Sequence, residues 1–345
     1  MSSATPAPQP GPPSGSSPPR VASKSDPAAR RVLTRWRSLT GGRTVRDAQR
    51  RTLVALSGGA DSSALLLTLA TQPRHIVAAH IVHDMRSPAE AHADRDACAQ
   101  LCGILGVPFV THPISVSRVG NIEANARRQR YAALTALARD NGCHFVATGH
   151  HAEDQLETLL MRLIRGCGQR GLRGIAPRRP LSDAVSLIRP MLELRRVDAQ
   201  RLCAACNWAW RIDATNADTA RSRSRIRHDL LPLIESIAPG AALRANAAAD
   251  VAAAAWHVIR CDAAALLRDS GRGPGRWTRE PWTAAPRAVV AEAITSIVRS
   301  AGGVPRYREA IAATRAIRSR SGEIKRFQFE GCALLVEADA IRVEA

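Results

Sequence analysis

One stretch constrains this chain more than any other. The apolar run Leu53-Val54-Ala55-Leu56 leads into Ser57-Gly58-Gly59-Ala60-Asp61-Ser62-Ser63 and then Ala64-Leu65-Leu66-Leu67-Thr68-Leu69-Ala70. The first run reads as a short buried strand and the last as a buried helix. Two glycines let the backbone turn tightly and approach a ligand with no side chain in the way. Ser62 and Ser63 fall where the helix begins, with hydroxyls beside free N–H groups. Strand, glycine turn and helix N-terminus together form an anion site, because aligned N–H dipoles face the ligand. No lysine follows the glycines, so this is not the Walker-type loop, in which a lysine reaches the terminal phosphates.

The surrounding sequence repeats the strand–helix alternation. His75 to Val82 reads as a second strand, Ala89 to Leu105 as a helix closed by Gly106, and Pro108-Phe109-Val110 as a third strand. Ile122 to Asn141 is a further helix ending at Gly142. Cys143 to Thr148 is a fourth strand and Glu153 to Arg165 a fourth helix. Continuous apolar strands between helices predict an α/β fold with a parallel, doubly wound sheet covered on both faces. Ligands of such sheets bind beyond the carboxyl ends of the strands. The Ser57 loop, the segment His83-Asp84-Met85-Arg86 and the segment Gly149-His150-His151 all fall there, as one shared site requires.

After about Pro239 the character changes. Ala241 to Leu267 is alanine-rich and helical, and Ser270 to Gly275 is a loop. Trp282 to Ser300 and Arg306 to Arg318 are expected as two more helices. Lys325–Phe329, Ala333–Glu337 and Ala340–Val343 alternate as short strands. The expected organisation is a disordered Pro/Ser-rich tail over 1–27, a catalytic domain over 28–235, and a small helical substrate-binding domain over 236–345 that ends in short strands. The tail expectation rests on eight of the 21 prolines falling in residues 1–27 without periodicity.

Charge narrows the partner. The net charge is +19, and only Lys24 and Lys325 are lysines, so 47 of the 49 basic residues are arginine. Such a balance favours a polyanion, because phosphate contacts dominate nucleic-acid affinity and arginine grips phosphate bidentately. No window approaches the roughly 18–20 apolar residues of a membrane span. No apolar segment follows the N-terminal charges as a secretory signal requires. Eight scattered cysteines then read as reduced thiols of a cytoplasmic protein. Cys203 and Cys206 have metal-ligand spacing, but no second pair follows, so they read as buried packing residues.

Three further runs carry chemistry. His150-His151-Ala152-Glu153-Asp154-Gln155-Leu156-Glu157-Thr158 opens a helix with acids, where negative charge is favoured. Asp154 and Glu157 share a face and could hold magnesium or an ammonium group. In Asn121 to Tyr131, Arg127 and Arg130 share a face suited to phosphate or RNA backbone. Arg162 to Leu172, which includes Arg165, is glycine-rich and basic. Asp213-Ala214-Thr215-Asn216 leads into Arg221, Arg223, Arg225 and Arg227 before His228-Asp229-Leu230-Leu231-Pro232.

The pattern Ser-Gly-Gly-x-Asp-Ser resembles the pyrophosphate loop of the ATP pyrophosphatases, the adenine nucleotide alpha hydrolase-like superfamily. Its order with Ala-Arg-x-x-Arg-Tyr, Ala-Thr-Gly-His-His, Asp-Gln-x-Glu-Thr, Arg-Gly-x-Gly-x-x-Gly-Leu and Asp-x-Thr-Asn resembles the bacterial tRNA(Ile)-lysidine synthases over about residues 30–235. Glu153 stands where that family usually has aspartate, and Ser224 where it has asparagine. The resemblance implies adenylation of the wobble cytidine of a tRNA(Ile) with a CAU anticodon. Free L-lysine then displaces AMP to give lysidine. It implies ATP and Mg2+ as cofactors. Ser57, Gly58, Gly59, Ala60, Asp61, Ser62, Ser63, His83, Arg86, Gly149 and His150 would hold the nucleotide, with Asp61 on magnesium through the phosphates. Asp61, Asp154, Glu157 and Arg127 would be catalytic, Asp154 and Glu157 facing the lysine ammonium. Arg127, Arg130, Glu153, Arg165, Arg223 and Arg227 would bind substrate. The alternatives are thiolation of tRNA cytidine by a related enzyme, for which Cys203 and Cys206 would have to carry sulfur or a cluster, and a non-catalytic RNA-binding protein on the same scaffold.

The charge excess makes one expectation testable. Binding to a tRNA transcript should weaken more than about tenfold between roughly 50 and 200 mM salt, because arginine–phosphate contacts release counterions. A flat response in filter binding would show that phosphate contacts do not drive the affinity.

Overall fold

The computed structural model describes residues 17–46, 49–84, 87–211, 222–319 and 323–344. They divide into two compact units. One runs through Met161 and resumes at Gly174–Ala247. The other comprises Arg162–Arg173 and Ala248–Ala345.

The first unit contains, in chain order, α1 (Pro27–Leu39), β1 (Thr52–Ala55), α2 (Ala60–Leu69), β2 (Ile76–His83), α3 (Pro88–Leu105) and β3 (Phe109–Ile114). There follow α4 (Ile122–Asp140), β4 (Phe145–Ala147) and α5 (Ala152–Ile164), whose last residues belong to the second unit with α6 (Gln169–Leu172). The first unit continues with β5 (Arg178–Pro180), β6 (Ser186–Ile188), α7 (Arg196–Ala205), α8 (Ser222–Arg225) and α9 (Leu231–Ile237).

Six strands form one sheet in the order β3-β2-β1-β4-β6-β5. Its pairs are parallel except β5 with β6, an antiparallel hairpin at the edge. The sequence pattern predicts the parallel strands but misses this hairpin, because three-residue strands are too short to show a period. The chain winds from β1 out to β3 and returns on the other side at β4. The carboxyl ends of β1 and β4 therefore flank the switch point where such sheets bind ligands.

Burial follows the strand alternation. Val54, Ala78 and Ala147 point into a cluster with α1, α2 and α7, including Trp36, Leu65, Leu66 and Leu202. Leu53, Val77 and Val146 point the other way, against Leu134 and Ala138 of α4. The sheet is thus covered on both faces, which explains why β1 is buried at all four positions.

The expected tail is corrected at its inner end, since among the described residues packing reaches back to Arg20, ahead of Ala28. Arg20 N–H donates to Cys206 O at 3.0 Å, and Ala22 N–H donates to Leu67 O at 3.0 Å. Ala22 is buried. Asp26 caps α1 through Oδ1, which accepts from Ala28 and Ala29 N–H at 2.8 and 2.9 Å. Proline content masks these few anchoring contacts in the sequence.

The second unit continues α10 (Ala241–Asp269) and adds β7 (Arg276–Thr278), α11 (Glu280–Ala284), α12 (Arg287–Ser300) and α13 (Tyr307–Arg318). It ends in β8 (Lys325–Phe329), β9 (Cys332–Val336) and β10 (Ala340–Glu344). A four-stranded antiparallel sheet has the order β7-β10-β9-β8. The single helix expected over Trp282–Ser300 is two, because Pro286 occupies the N-cap of α12. Buried Arg279 ties this unit together. It donates to Ile317 O and Ala316 O at 3.0 Å, at the end of α13, and to Glu337 O at 2.7 Å. It thereby satisfies carbonyls that the helix end leaves orphaned. Among the described residues no helix is long and apolar enough to cross a membrane.

Asp26→Ala should lower stability by about 1 kcal/mol, the usual worth of an N-cap. The measurement is the urea midpoint. An unchanged midpoint would show that the segment before α1 contributes nothing.

Candidate active site

The glycine loop follows β1 directly. Gly58 has φ +87°, a left-handed conformation that side chains disfavour. Ser57 N–H donates to Ser62 Oγ at 3.0 Å, and Ser62 Oγ donates to Gly59 O at 3.2 Å, so the loop folds back on the first turn of α2. Gly59 is the N-cap and supplies no side-chain acceptor. The N–H groups of that turn are therefore left for a ligand.

Gly149, after β4, presses against the same turn. A Cβ there would lie 2.7 Å from Asp61 O and 3.0 Å from Ser62 N. Only glycine lets the two strand ends approach this closely.

These segments line a cleft of about 520 Å3 with His80 and His83 of β2, Glu90 and Asp94 of α3, and Arg130 of α4. His150, His151, Asp154, Arg196, Arg211 and Arg227 complete its polar wall. Of the residues expected from sequence, Ser57, Gly59, Ala60, Asp61, Ser62, His83, Gly149, His150, Arg130, Asp154 and Arg227 meet there. Gly58 shapes the loop behind them, and Ser63, in the first turn of α2, is fully buried. Arg165 is exposed on the second unit. Arg86, Arg221 and the Asp213-Ala214-Thr215-Asn216 motif lie outside the described residues.

The centre of the site is a residue the sequence reading passed over in favour of its neighbour. Buried His151 has Nδ1 2.9 Å from Glu153 Oε2, and Nε2 3.5 Å from both Asp61 Oδ2 and Asp154 Oδ2. Burial opposes charge on this imidazole, but Asp154, Asp61 and Glu153 together raise its pKa well above 6.5. His151 is an imidazolium caged by three carboxylates. Burial also opposes the Asp154 carboxylate, yet the charge on His151, the His151 backbone N–H and Arg227 hold its pKa below 3.8. His150 behaves oppositely. Burial, then Arg189, Arg130 and Arg127, push it down to about 3 against the pull of Asp154. It stays neutral, with Nδ1 2.8 Å from Thr148 Oγ1.

Glu153, expected to touch substrate, is a brace. Its Oε2 accepts from Arg196 N–H at 3.0 Å and meets His151, joining α5 to the start of α7. Asp154 and Glu157 do share a face of α5, and Arg227 bridges them, 3.3 Å from Asp154 Oδ1 and 2.9 Å from Glu157 Oε2. Glu157 is only 1% exposed and is paired with Arg223 as well. Both arginines sit around a five-residue π-helical segment, Ile226–Leu230, a form often found at functional sites. Arg127 is exposed beside the cleft. Its guanidinium lies 5.2 Å from the centre of the Tyr131 ring, and Arg179 lies 4.8 Å from the same ring.

Among the described residues, Asp61 Oδ1 is buried with no hydrogen-bond partner. A carboxylate with one oxygen held toward His151 and the other unmatched fits a cation shared with phosphate. Cys203 and Cys206 do not offer ligands. Cys203 Sγ donates to Ala60 O at 3.3 Å, and burial pushes the Cys206 thiol up to about 11.

Residues 31–234 match the PP-loop domain family. The chain is 35% identical over 285 residues to the tRNA(Ile)-lysidine synthase of Novosphingobium aromaticivorans, covering 81% of this chain and 83% of that protein. It belongs to the tRNA(Ile)-lysidine synthase family. The family's members are ATP-dependent tRNA-modifying ligases, and the PP-loop implies use of ATP. The chain is also 37% identical over 194 residues to the Nostoc sp. enzyme, spanning 55% of this chain and 56% of that one. The Geobacter sulfurreducens enzyme is 38% identical over 213 residues, covering 59% of this chain and 44% of its own length. The chain thus spans most of the first relative but about half the length of the other two. Its fold is similar to that of a U34-tRNA thiolase from Methanococcus maripaludis, with a TM-score of 0.50 and 17% identity over 65% of this chain and 76% of that one.

His151→Ala should destabilise the protein by about 2–5 kcal/mol, because three carboxylates lose their buried counter-charge. The charge-dependent stabilisation is complete below pH 6.5 and is lost as pH rises through the raised folded pKa. The Asp154 contribution runs the other way, present above 3.8 and lost as pH falls through its depressed value. The gap between wild-type and His151→Ala unfolding midpoints should therefore be widest in mildly acidic buffer and narrow in alkaline buffer. A gap independent of pH would mean that the cage is held by packing alone.

Proposed function

We propose that this chain ligates free lysine to carbon 2 of the wobble cytidine in an isoleucine tRNA with a CAU anticodon, using ATP, in the cytoplasm. The observation that carries the reading is the single cleft in which the glycine loop and Asp154 meet across His151. A phosphate cradle and a fixed carboxylate side by side suit a reaction that consumes ATP and takes an amine.

ATP is a substrate of this reaction. The loop and the start of α2 receive its phosphates. The cytosine 2-oxygen attacks the α-phosphorus, an O–P bond forms, and the bond to pyrophosphate breaks. The lysine amine, after giving one proton to solvent, then attacks carbon 2; a C–N bond forms, the C–O bond breaks with the oxygen leaving on AMP, and the nitrogen gives its second proton to solvent. Asp61 would hold magnesium, and phosphates and water would complete its shell, since among the described residues no three His, Cys, Asp or Glu side chains are arranged to bind a metal. When bound, magnesium supplies neutralisation of charge on the departing pyrophosphate.

The electrostatics separate two roles for Asp154. A carboxylate held below its usual pKa stays charged and is a poor proton acceptor. Asp154 therefore anchors the lysine ammonium rather than deprotonating it. Glu157, closed off by Arg223 and Arg227, supports that carboxylate from behind. Arg130 and exposed Arg127 are placed for tRNA phosphate. The cytidine must leave its stack, which an anticodon loop makes cheap. No observation favours thiolation, since burial keeps Cys203 and Cys206 protonated.

The test is mass analysis of the wobble nucleoside after incubating the tRNA with ATP and lysine. A gain of one lysine less one water is expected. Unmodified cytidine, or an exchange of oxygen for sulfur, would refute the reading. Asp154→Asn should raise the lysine concentration for half-maximal rate about 10- to 100-fold, the worth of a charged contact. Lysine-independent adenylation should survive in that variant.

A further inference from the structure

The glycine loop carries no lysine, so side-chain charge for the terminal phosphates must come from elsewhere in the fold. Four arginines line the cleft: Arg130, Arg196, Arg211 and Arg227. Arg227 is committed to Asp154 and Glu157. Arg130 reaches the cleft from α4, and Arg196 from the start of α7. Arg211 alone among the four is fastened to the loop itself.

Three observations fix it there. Its backbone N–H donates to Gly58 O at 3.0 Å. Its Nε is ion-paired with Asp94 Oδ1. Its stem runs beside the turn, since a Cβ at Gly58 would lie 3.9 Å from Arg211 Cδ. The Asp94 side chain is 11% exposed and that of Arg211 is 44% exposed. The carboxylate is thus anchored under α3, while the guanidinium keeps open surface in the cleft. With Nε engaged, the outer N–H groups of the fork, which have no side-chain partner among the described residues, suit planar recognition of a phosphate. The neighbouring Trp210 is buried and pins the segment from the other side.

We propose that Arg211, oriented by Asp94, is the side-chain cation that binds the pyrophosphate end of ATP, in place of the lysine the loop lacks. Arg211 touches the substrate, and Asp94 is a positioning residue acting through it. The inference rests on the reading that the glycine loop binds ATP. It adds a specific division of labour, in which backbone N–H groups and Arg211 share the two terminal phosphates while the AMP half lies elsewhere in the cleft.

Calorimetric titration of the full chain with ATP, inorganic pyrophosphate and AMP tests it without turnover. Arg211→Gln should weaken ATP and pyrophosphate about 10- to 100-fold and leave AMP within about twofold, the signature of one lost charged contact. Arg211→Lys should recover part of the loss. Asp94→Asn should give a smaller loss with the same preference for pyrophosphate over AMP. Unchanged pyrophosphate affinity in Arg211→Gln would overturn the proposal. Equal weakening of all three ligands with a lower melting temperature would also overturn it, because Arg211 would then be only a brace. Wild-type protein that binds ATP and pyrophosphate yet makes no lysidine would sink the functional reading and leave this assignment standing. Wild-type protein that binds neither would sink both.

Discussion

The site depends on one buried charge. His151 is an imidazolium with Asp61, Glu153 and Asp154 around it, and each carboxylate belongs to a different task. Asp61 belongs to the glycine loop, Glu153 ties α5 to α7, and Asp154 faces the cleft. Three carboxylates this close would repel one another and raise their own pKa values. The imidazolium offsets that repulsion, and it helps to hold Glu153 and Asp154 below the usual carboxylate range. It also offsets part of the negative charge that these acidic groups place beside the helix N-terminus of α2.

A second constraint is steric. The loop after β1 and the turn after β4 touch at backbone distance, which Gly149 permits and any side chain would prevent. Gly58 supplies the left-handed turn that lets Ser57 fold back onto Ser62. The two glycines thereby bring the phosphate cradle within reach of the α5 carboxylates. The charged groups then settle in layers. Glu157 lies deepest with Arg223 and Arg227, Asp154 lies above it, and Arg130 and Arg211 keep exposed surface toward the cleft.

The second unit concentrates positive charge on its own surface. Burial and the neighbours Arg170, Arg162 and Arg260 lower the pKa of Arg173, whose guanidinium sits 3.8 Å over the Trp256 ring. Arg260 lies 5.2 Å from the same ring. Arginines that repel one another around an indole are costly to maintain in isolation.

Much of the architecture was legible in the sequence, because it is written in local periodicity. Apolar four- to eight-residue runs between helices gave the parallel strands. Gly106 and Gly142 marked helix ends, and the Ser57–Ser63 run marked the turn from β1 into α2. The edge hairpin, the break at Pro286 and the anchoring of Arg20 and Ala22 were not legible, since each depends on a few contacts between distant residues. The same holds in the site. Sequence named His150, but only the tertiary structure shows that His151 holds the charge, because its three carboxylates come from two elements. Sequence placed Glu153 against the substrate and Glu157 among the catalytic groups, and packing made one a brace and closed the other behind two arginines. Arg211 and Asp94, 117 residues apart, had no signal at all. Spacing along the chain determines which groups share a helix or strand end. Which of them stay charged, and which face the ligand, is decided by burial and by partners that only folding brings together.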